Sequence, residues 1–126
     1  MKKLIVDLDG TITIADTSDY HSVTPNYELI NKLKDYKENG FSIVISTARN
    51  MRTFEGNVGK INIYTLPVII EWLEKHGVPY DEILVGKPWC GTEGFYIDDR
   101  AVRPSEFTKM SFDQVKDLIN KEKKCF

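Results

Sequence analysis

Short apolar, strand-forming runs alternate along this chain with stretches of helical period, and each run ends on a residue that can handle an ion. Lys3-Leu4-Ile5-Val6 leads into Asp7, and Phe41-Ser42-Ile43-Val44-Ile45-Ser46 leads into Thr47. Ile83-Leu84-Val85 leads into Gly86-Lys87, and Phe95-Tyr96-Ile97 into Asp98-Asp99. The first two runs read as strands buried on both faces, as in a parallel sheet. Between the runs, Thr24-Pro25 resembles an N-cap and first helical residue, with Leu29, Ile30, Leu33 and Tyr36 at helical spacing and Gly40 as the stop. Thr65 and Pro67 open a second helix through Val68, Ile69, Trp72 and Leu73 to Gly77. Ser111 with Gln114 forms a capping box that opens the last helix through Val115, Leu118 and Ile119. A weak fifth strand is expected between Val102 and Thr108. Thr11 to Thr24 reads as a loop or flap, and Arg49 to Tyr64, with Gly56 and Gly59, as a functional loop ending in a short helical turn. Strand–helix alternation predicts an α/β protein with a mainly parallel sheet, in one domain over residues 1–126.

Composition narrows the function. With 17 basic and 19 acidic residues the formal net charge is −2, which argues against a general nucleic-acid or membrane binder. The two cysteines, Cys90 and Cys125, make a poor disulfide framework and fit a reducing compartment. Met1 to Val6 is too short for a signal peptide, and no run approaches the ~20 apolar residues of a membrane span. A soluble cytoplasmic protein is the expectation.

In parallel sheets, ligands gather at the carboxyl ends of the strands. That is where Asp7-Leu8-Asp9-Gly10-Thr11, Ser46-Thr47-Ala48-Arg49, Gly86-Lys87-Pro88 and Asp98-Asp99-Arg100 all fall. The ordered set resembles the haloacid dehalogenase superfamily, whose phosphatases carry D-x-D-G-T, a Ser/Thr, a Lys and an acidic pair in this order. The resemblance runs from Lys3 to about Phe107 and is nearest to the small capless phosphatases, some of them described as acting in capsule or polysaccharide biosynthesis. It implies a three-layer Rossmann-like fold without a cap domain and a Mg²⁺-dependent phosphatase. Asp7 would be the nucleophile and Asp9 the acid/base. Thr47 and Lys87 would meet the phosphoryl charge, with Gly10 and Thr11 beside it. Asp7, Asp9, Asp98 and Asp99 would form the metal site.

The chemistry is sound without the name. A phosphate monoester is an anion that repels a carboxylate unless a cation screens the charge, and Mg²⁺ needs only one or two carboxylates to hold it. A covalent aspartyl phosphate divides one hard step into two. Only 35 residues separate Thr11 from Thr47, and Lys87 follows Thr47 by 40 positions. One crossover helix and one strand nearly fill each interval, so the site is expected to be open, walled by the flap at Thr13–Val23 and the loop at Arg49–Lys60. Such a site suits a macromolecular substrate, or a small one, such as a sugar phosphate, covered by an oligomeric partner. Arg49 and Arg52, in that loop, are candidates for a second anionic group of the substrate.

Rival readings are weaker. Gly59-Lys60 resembles the end of a P-loop, but Phe54 and Ile61 break the pattern. Cys90 lacks the arginine of a C-x₅-R phosphatase, since Tyr96 stands there. A receiver-type phosphoaspartate module would carry its acceptor in mid-chain, whereas Asp7 closes the first strand. His21 and His76 read as surface and helix-end residues.

Overall fold

The computed structural model describes residues 1–14 and 19–126, so residues 15–18 of the expected flap lie outside the described residues. The elements in chain order are β1 (Lys3–Asp7), β2 (Thr13–Ile14), β3 (Thr24–Pro25), α1 (Tyr27–Glu38), β4 (Ser42–Thr47), α2 (Val58–Tyr64), α3 (Leu66–Lys75), β5 (Glu82–Val85), α4 (Pro104–Lys109) and α5 (Phe112–Glu122). They group into two compact units, Met1–Trp89 and Cys90–Phe126.

In the first unit the main sheet has the order β1-β4-β5, with both pairs parallel. The register sets Asp7 beside Ser46 and Thr47 beside Val85, so the three carboxyl ends lie at one level. This is the mainly parallel α/β architecture that the alternating sequence predicts, and no cap domain is evident among the described residues. Ile43, Val44 and Ile45 of the central strand are buried, as are Leu29, Ile30 and Leu33 of α1, Ile61 of α2, and Ile69, Trp72 and Leu73 of α3. Each large side chain of this kind contributes about 1.5–3 kcal/mol by leaving water. The expectation for β1 needs correction. It is an edge strand, and Ile5 on it is 68% exposed.

α3 starts and stops where the sequence indicates, with His76 as C-cap and Gly77 at φ 64°. The indole N–H of Trp72 donates to the carbonyl of Val23 at 2.9 Å, tying the helix to the chain entering β3. α1 begins later than Thr24-Pro25 suggests. Those two residues pair antiparallel with β2, and Asn26 is the cap, its Oδ1 accepting the Leu29 N–H at 3.3 Å. The amide of Asn26 also donates to the carbonyl of Thr11 at 3.1 Å, which fastens the helix start to the D-x-D-G-T turn.

Asp81 fixes the entry to β5. Its carboxylate accepts the Ile43 N–H at 2.7 Å and pairs with Lys37, and its own N–H donates to the Ile43 carbonyl at 2.7 Å. The Lys37 ammonium, and then the Ile43 N–H, hold its pKa below the usual carboxylate value. A lowered folded pKa stabilises above the ordinary carboxylate range, and that stabilisation is lost as pH falls through the folded value. Asp81→Asn should therefore lower the urea midpoint at neutral pH, with the gap to wild type narrowing at a pH below the ordinary carboxylate range. A gap of equal size at both pH values would show that the charge contributes nothing.

In the second unit, α5 opens with the expected capping box. The Gln114 N–H donates to Ser111 Oγ at 3.2 Å, and the Ser111 N–H donates to Gln114 Oε1 at 2.8 Å. Two expectations fail here. Val102–Thr108 holds no strand, because Pro104 at the first turn and a Glu106 carboxylate accepting the Arg103 N–H at 2.7 Å start helix α4. Phe95-Tyr96-Ile97 belongs to no strand. Among the described residues no helix is long and apolar enough to cross a membrane.

Candidate active site

β1 delivers Asp7 to the carboxyl edge of the sheet, and the chain then turns sharply. Asp9 is extended, at φ −76° and ψ 123°, and Gly10 follows at φ 83°, a left-handed geometry that glycine adopts without a Cβ penalty. The turn is held by the Gly10 N–H donating to Thr13 Oγ1 at 3.2 Å. Thr11 falls where its hydroxyl donates to Asp7 Oδ2 at 3.0 Å. On the other oxygen, Lys87 Nζ stands 3.3 Å from Asp7 Oδ1. Lys87 reaches that point because β5 is parallel to β4 and its own N–H continues the ladder onto the Thr47 carbonyl at 3.1 Å.

Thr47 is buried, and its Oγ1 accepts the Arg49 N–H at 3.1 Å, which leaves the hydroxyl proton to donate elsewhere. Arg49 then turns back to the D-x-D-G-T segment. Its Nε lies 3.0 Å from Asp9 Oδ2 and its Nη2 2.7 Å from Asp9 Oδ1, a two-pronged pair on a side chain that is 1% exposed. The guanidinium stacks on the Tyr20 ring at 4.0 Å, and its Nη1 is buried without a hydrogen-bond partner among the described residues. Tyr20, His21, Arg49, Asn50 and Tyr64 line an open cavity of about 200 Å³. The loop after β4 keeps its shape through Asn50, at φ 62°, whose Oδ1 accepts the Thr65 hydroxyl at 2.7 Å. Arg52 sits over the Trp89 ring at 5.7 Å.

The structure thus brings Asp7, Asp9, Gly10, Thr11, Thr47, Arg49 and Lys87 together in the first unit. Arg52 stays on the loop's exposed side. Asp98 and Asp99 belong to the second unit and are exposed there. The Arg100 N–H donates to Asp98 Oδ1 at 3.0 Å, and this bond, with help from Asp99, holds the Asp98 pKa below the ordinary carboxylate value. Among the described residues no three His, Cys, Asp or Glu side chains converge into a metal-holding group. The hard oxygens and partial exposure of Asp7 suit a Mg²⁺ ligand, whereas both Asp9 oxygens are engaged by Arg49. The Arg49–Asp9 pair was not foreseen from sequence. The residues lie 40 apart with no periodic relation, and only the parallel pairing of β1 and β4 makes them neighbours.

Asp7, the Thr11 hydroxyl and Lys87 thus gather at one edge of a parallel α/β sheet. The model of the haloacid dehalogenase-like hydrolases matches residues 4–124, and the chain belongs to that family. It is similar to a protein of known crystal structure from Vibrio cholerae, with 70% identity over 97% of this chain and 99% of the other, at a TM-score of 0.96. A chain in a Pnkp1/Rnl/Hen1 complex shares the fold at 20% identity and a TM-score of 0.51, over 86% of this chain and 34% of that one. No match was found among curated proteins.

Proposed function

We propose that this hydrolase cleaves phosphate monoesters through an aspartyl phosphate on Asp7. The observation that supports this most is the placing of Asp7 at the sheet edge between the Lys87 ammonium and the Thr11 hydroxyl, with Asp9 gripped two residues on. In the first step an Asp7 oxygen bonds to phosphorus, the ester P–O bond breaks, and the Asp9 carboxyl gives its proton to the leaving oxygen. In the second step Asp9 takes a proton from water, the water oxygen bonds to phosphorus, and the bond to Asp7 breaks, releasing inorganic phosphate. Lys87 and the Thr47 hydroxyl face the charge on the phosphoryl oxygens. Asp7, Asp98 and Asp99 are the residues proposed to hold Mg²⁺, which would screen the repulsion between carboxylate and phosphate. Gly10 leaves the turn open to the phosphoryl group. The test is phosphate release, with and without Mg²⁺, from sugar phosphates, nucleotides, phosphopeptides and phosphorylated oligonucleotides. No release from any of them would refute the proposal.

Arg52 and Trp89 support a narrower reading, in which the substrate carries a second anionic group as an acidic sugar phosphate does. A guanidinium poised on an aromatic face is well placed to receive it. Arg52→Ala should raise KM for such a substrate several-fold and leave a small neutral aryl phosphate nearly unaffected. Equal losses on both would assign Arg52 to the phosphoryl site or to the fold.

A further inference from the structure

β1 ends its sheet on one side, and Ile5 is 68% exposed along that edge. An edge strand is a row of unpaired N–H and C=O groups ready to accept another strand. Phe95 and Ile97 are 76% and 89% exposed, and with Tyr96 between them they form a run of strand-forming residues outside both sheets. The run leads into Asp98 as β1 leads into Asp7. The edge and the run are complementary, but the connecting chain is short. Nine residues, Gly86 to Gly94, follow the end of β5 at Val85. Part of that length is spent in a turn so tight that a Cβ on Gly94 would lie 2.2 Å from the Cys90 carbonyl oxygen. A connection to a parallel strand needs roughly a dozen residues or more, since the chain must return to the amino end of the sheet. Reaching the free edge of β1 also means passing β4 and β1, at about 4.8 Å per strand.

We propose that two copies of this chain exchange residues 90–126. Phe95-Tyr96-Ile97 of each copy adds as a parallel strand to the free edge of β1 in the other. Parallel addition sets Asp98 and Asp99 of one copy beside Asp7 of the other, so each active site is composite. The other free edge, on β5, lies two strands from β1, roughly 10 Å farther away, and would leave the acids too far from Asp7 to share one ion. A two-fold exchange closes on itself and leaves no open chain of copies. The role given to the acids rests on the phosphatase reading; the exchange itself does not.

Two measurements separate these. In a Cys90→Ser/Cys125→Ser background, Ile5→Cys combined with Tyr96→Cys, which this register sets side by side, should give, on mild oxidation, a covalent dimer that reduction dissolves. The wild-type chain should sediment as a dimer. A disulfide within one chain, or a monomeric wild type, overturns the exchange. Asp7→Asn and Asp98→Asn chains, unfolded and refolded as an equal mixture, should recover about one quarter of wild-type turnover. Half of the dimers are then mixed, and one of the two sites in each is intact. No recovery against an active wild type overturns the composite site. A wild type without phosphatase activity sinks the functional reading alone, and the covalent dimer still decides the exchange.

Discussion

Asp7→Asn should abolish phosphate release while leaving thermal stability almost unchanged. The amide has the shape of the carboxylate but is no nucleophile, so no phosphoryl group can be taken up. The Thr11 hydroxyl still finds an oxygen to donate to, so the turn after β1 keeps its hold. The lost pair with Lys87 is long, at 3.3 Å, and the Asp7 side chain is 36% exposed, so its loss costs less than about 1 kcal/mol. Acid quench of the wild type during turnover should trap labelled phosphate on the protein, and the label should be absent from Asp7→Asn. Chelation should stop wild-type turnover and added Mg²⁺ restore it. Ca²⁺ should serve poorly, because it prefers a looser, higher coordination. An Asp7→Asn protein with near-normal turnover would end the mechanism.

The elements most legible in the sequence are those specified by their own residues. α3 is bounded by Pro67 and Gly77, and α5 opens with the reciprocal pair of Ser111 and Gln114, so both helices need little outside help to be placed. β4 reads correctly because a central parallel strand is apolar on both faces. Strands at an edge are harder, since a strand is defined by its neighbour. Phe95-Tyr96-Ile97 has strand composition but lies outside both sheets, and Thr24-Pro25 looks like a helix start but is held in a ladder by β2. α4 was misread although its signal was local. Pro104 and Glu106 spell a helix start that the reading of Val102 to Thr108 as a strand passes over. For the candidate site, the gathering of Asp7, Thr47 and Lys87 at one sheet edge was legible because each closes a strand or follows one by two residues, and parallel strands bring their ends together. What one acid does with its neighbours was not, because Arg49 is buried against Asp9 only once β1 and β4 are paired.

That pair carries the second large effect. Asp9→Asn should lower kcat by about 10²–10⁴-fold on alkyl phosphates, the range for loss of a general acid–base. The first step of an activated aryl phosphate, followed by rapid quench, should suffer less, because its leaving oxygen needs little protonation. Equal losses in that step across leaving groups would remove Asp9 from the acid role. Arg49 touches both Asp9 oxygens from a buried position, so the role expected of it is positioning. Arg49→Lys keeps the charge but not the planar fork, and a lysine cannot hold two carboxylate oxygens in one plane. It should therefore lower kcat on alkyl phosphates and leave KM nearly unchanged, and the added loss on combining it with Asp9→Asn should be small, because the two act as one unit. The other role for Arg49, as a clamp for a second anion of the substrate, predicts the opposite split. KM would rise for the acidic substrate, kcat would hold, and the double variant would lose the product of the two single effects. The buried Nη1, without a hydrogen-bond partner among the described residues, is what an anion clamp would use, while the two-pronged grip on Asp9 is what a positioning residue would use. The grip occupies two of the three guanidinium nitrogens, and so the kcat effect is expected to dominate.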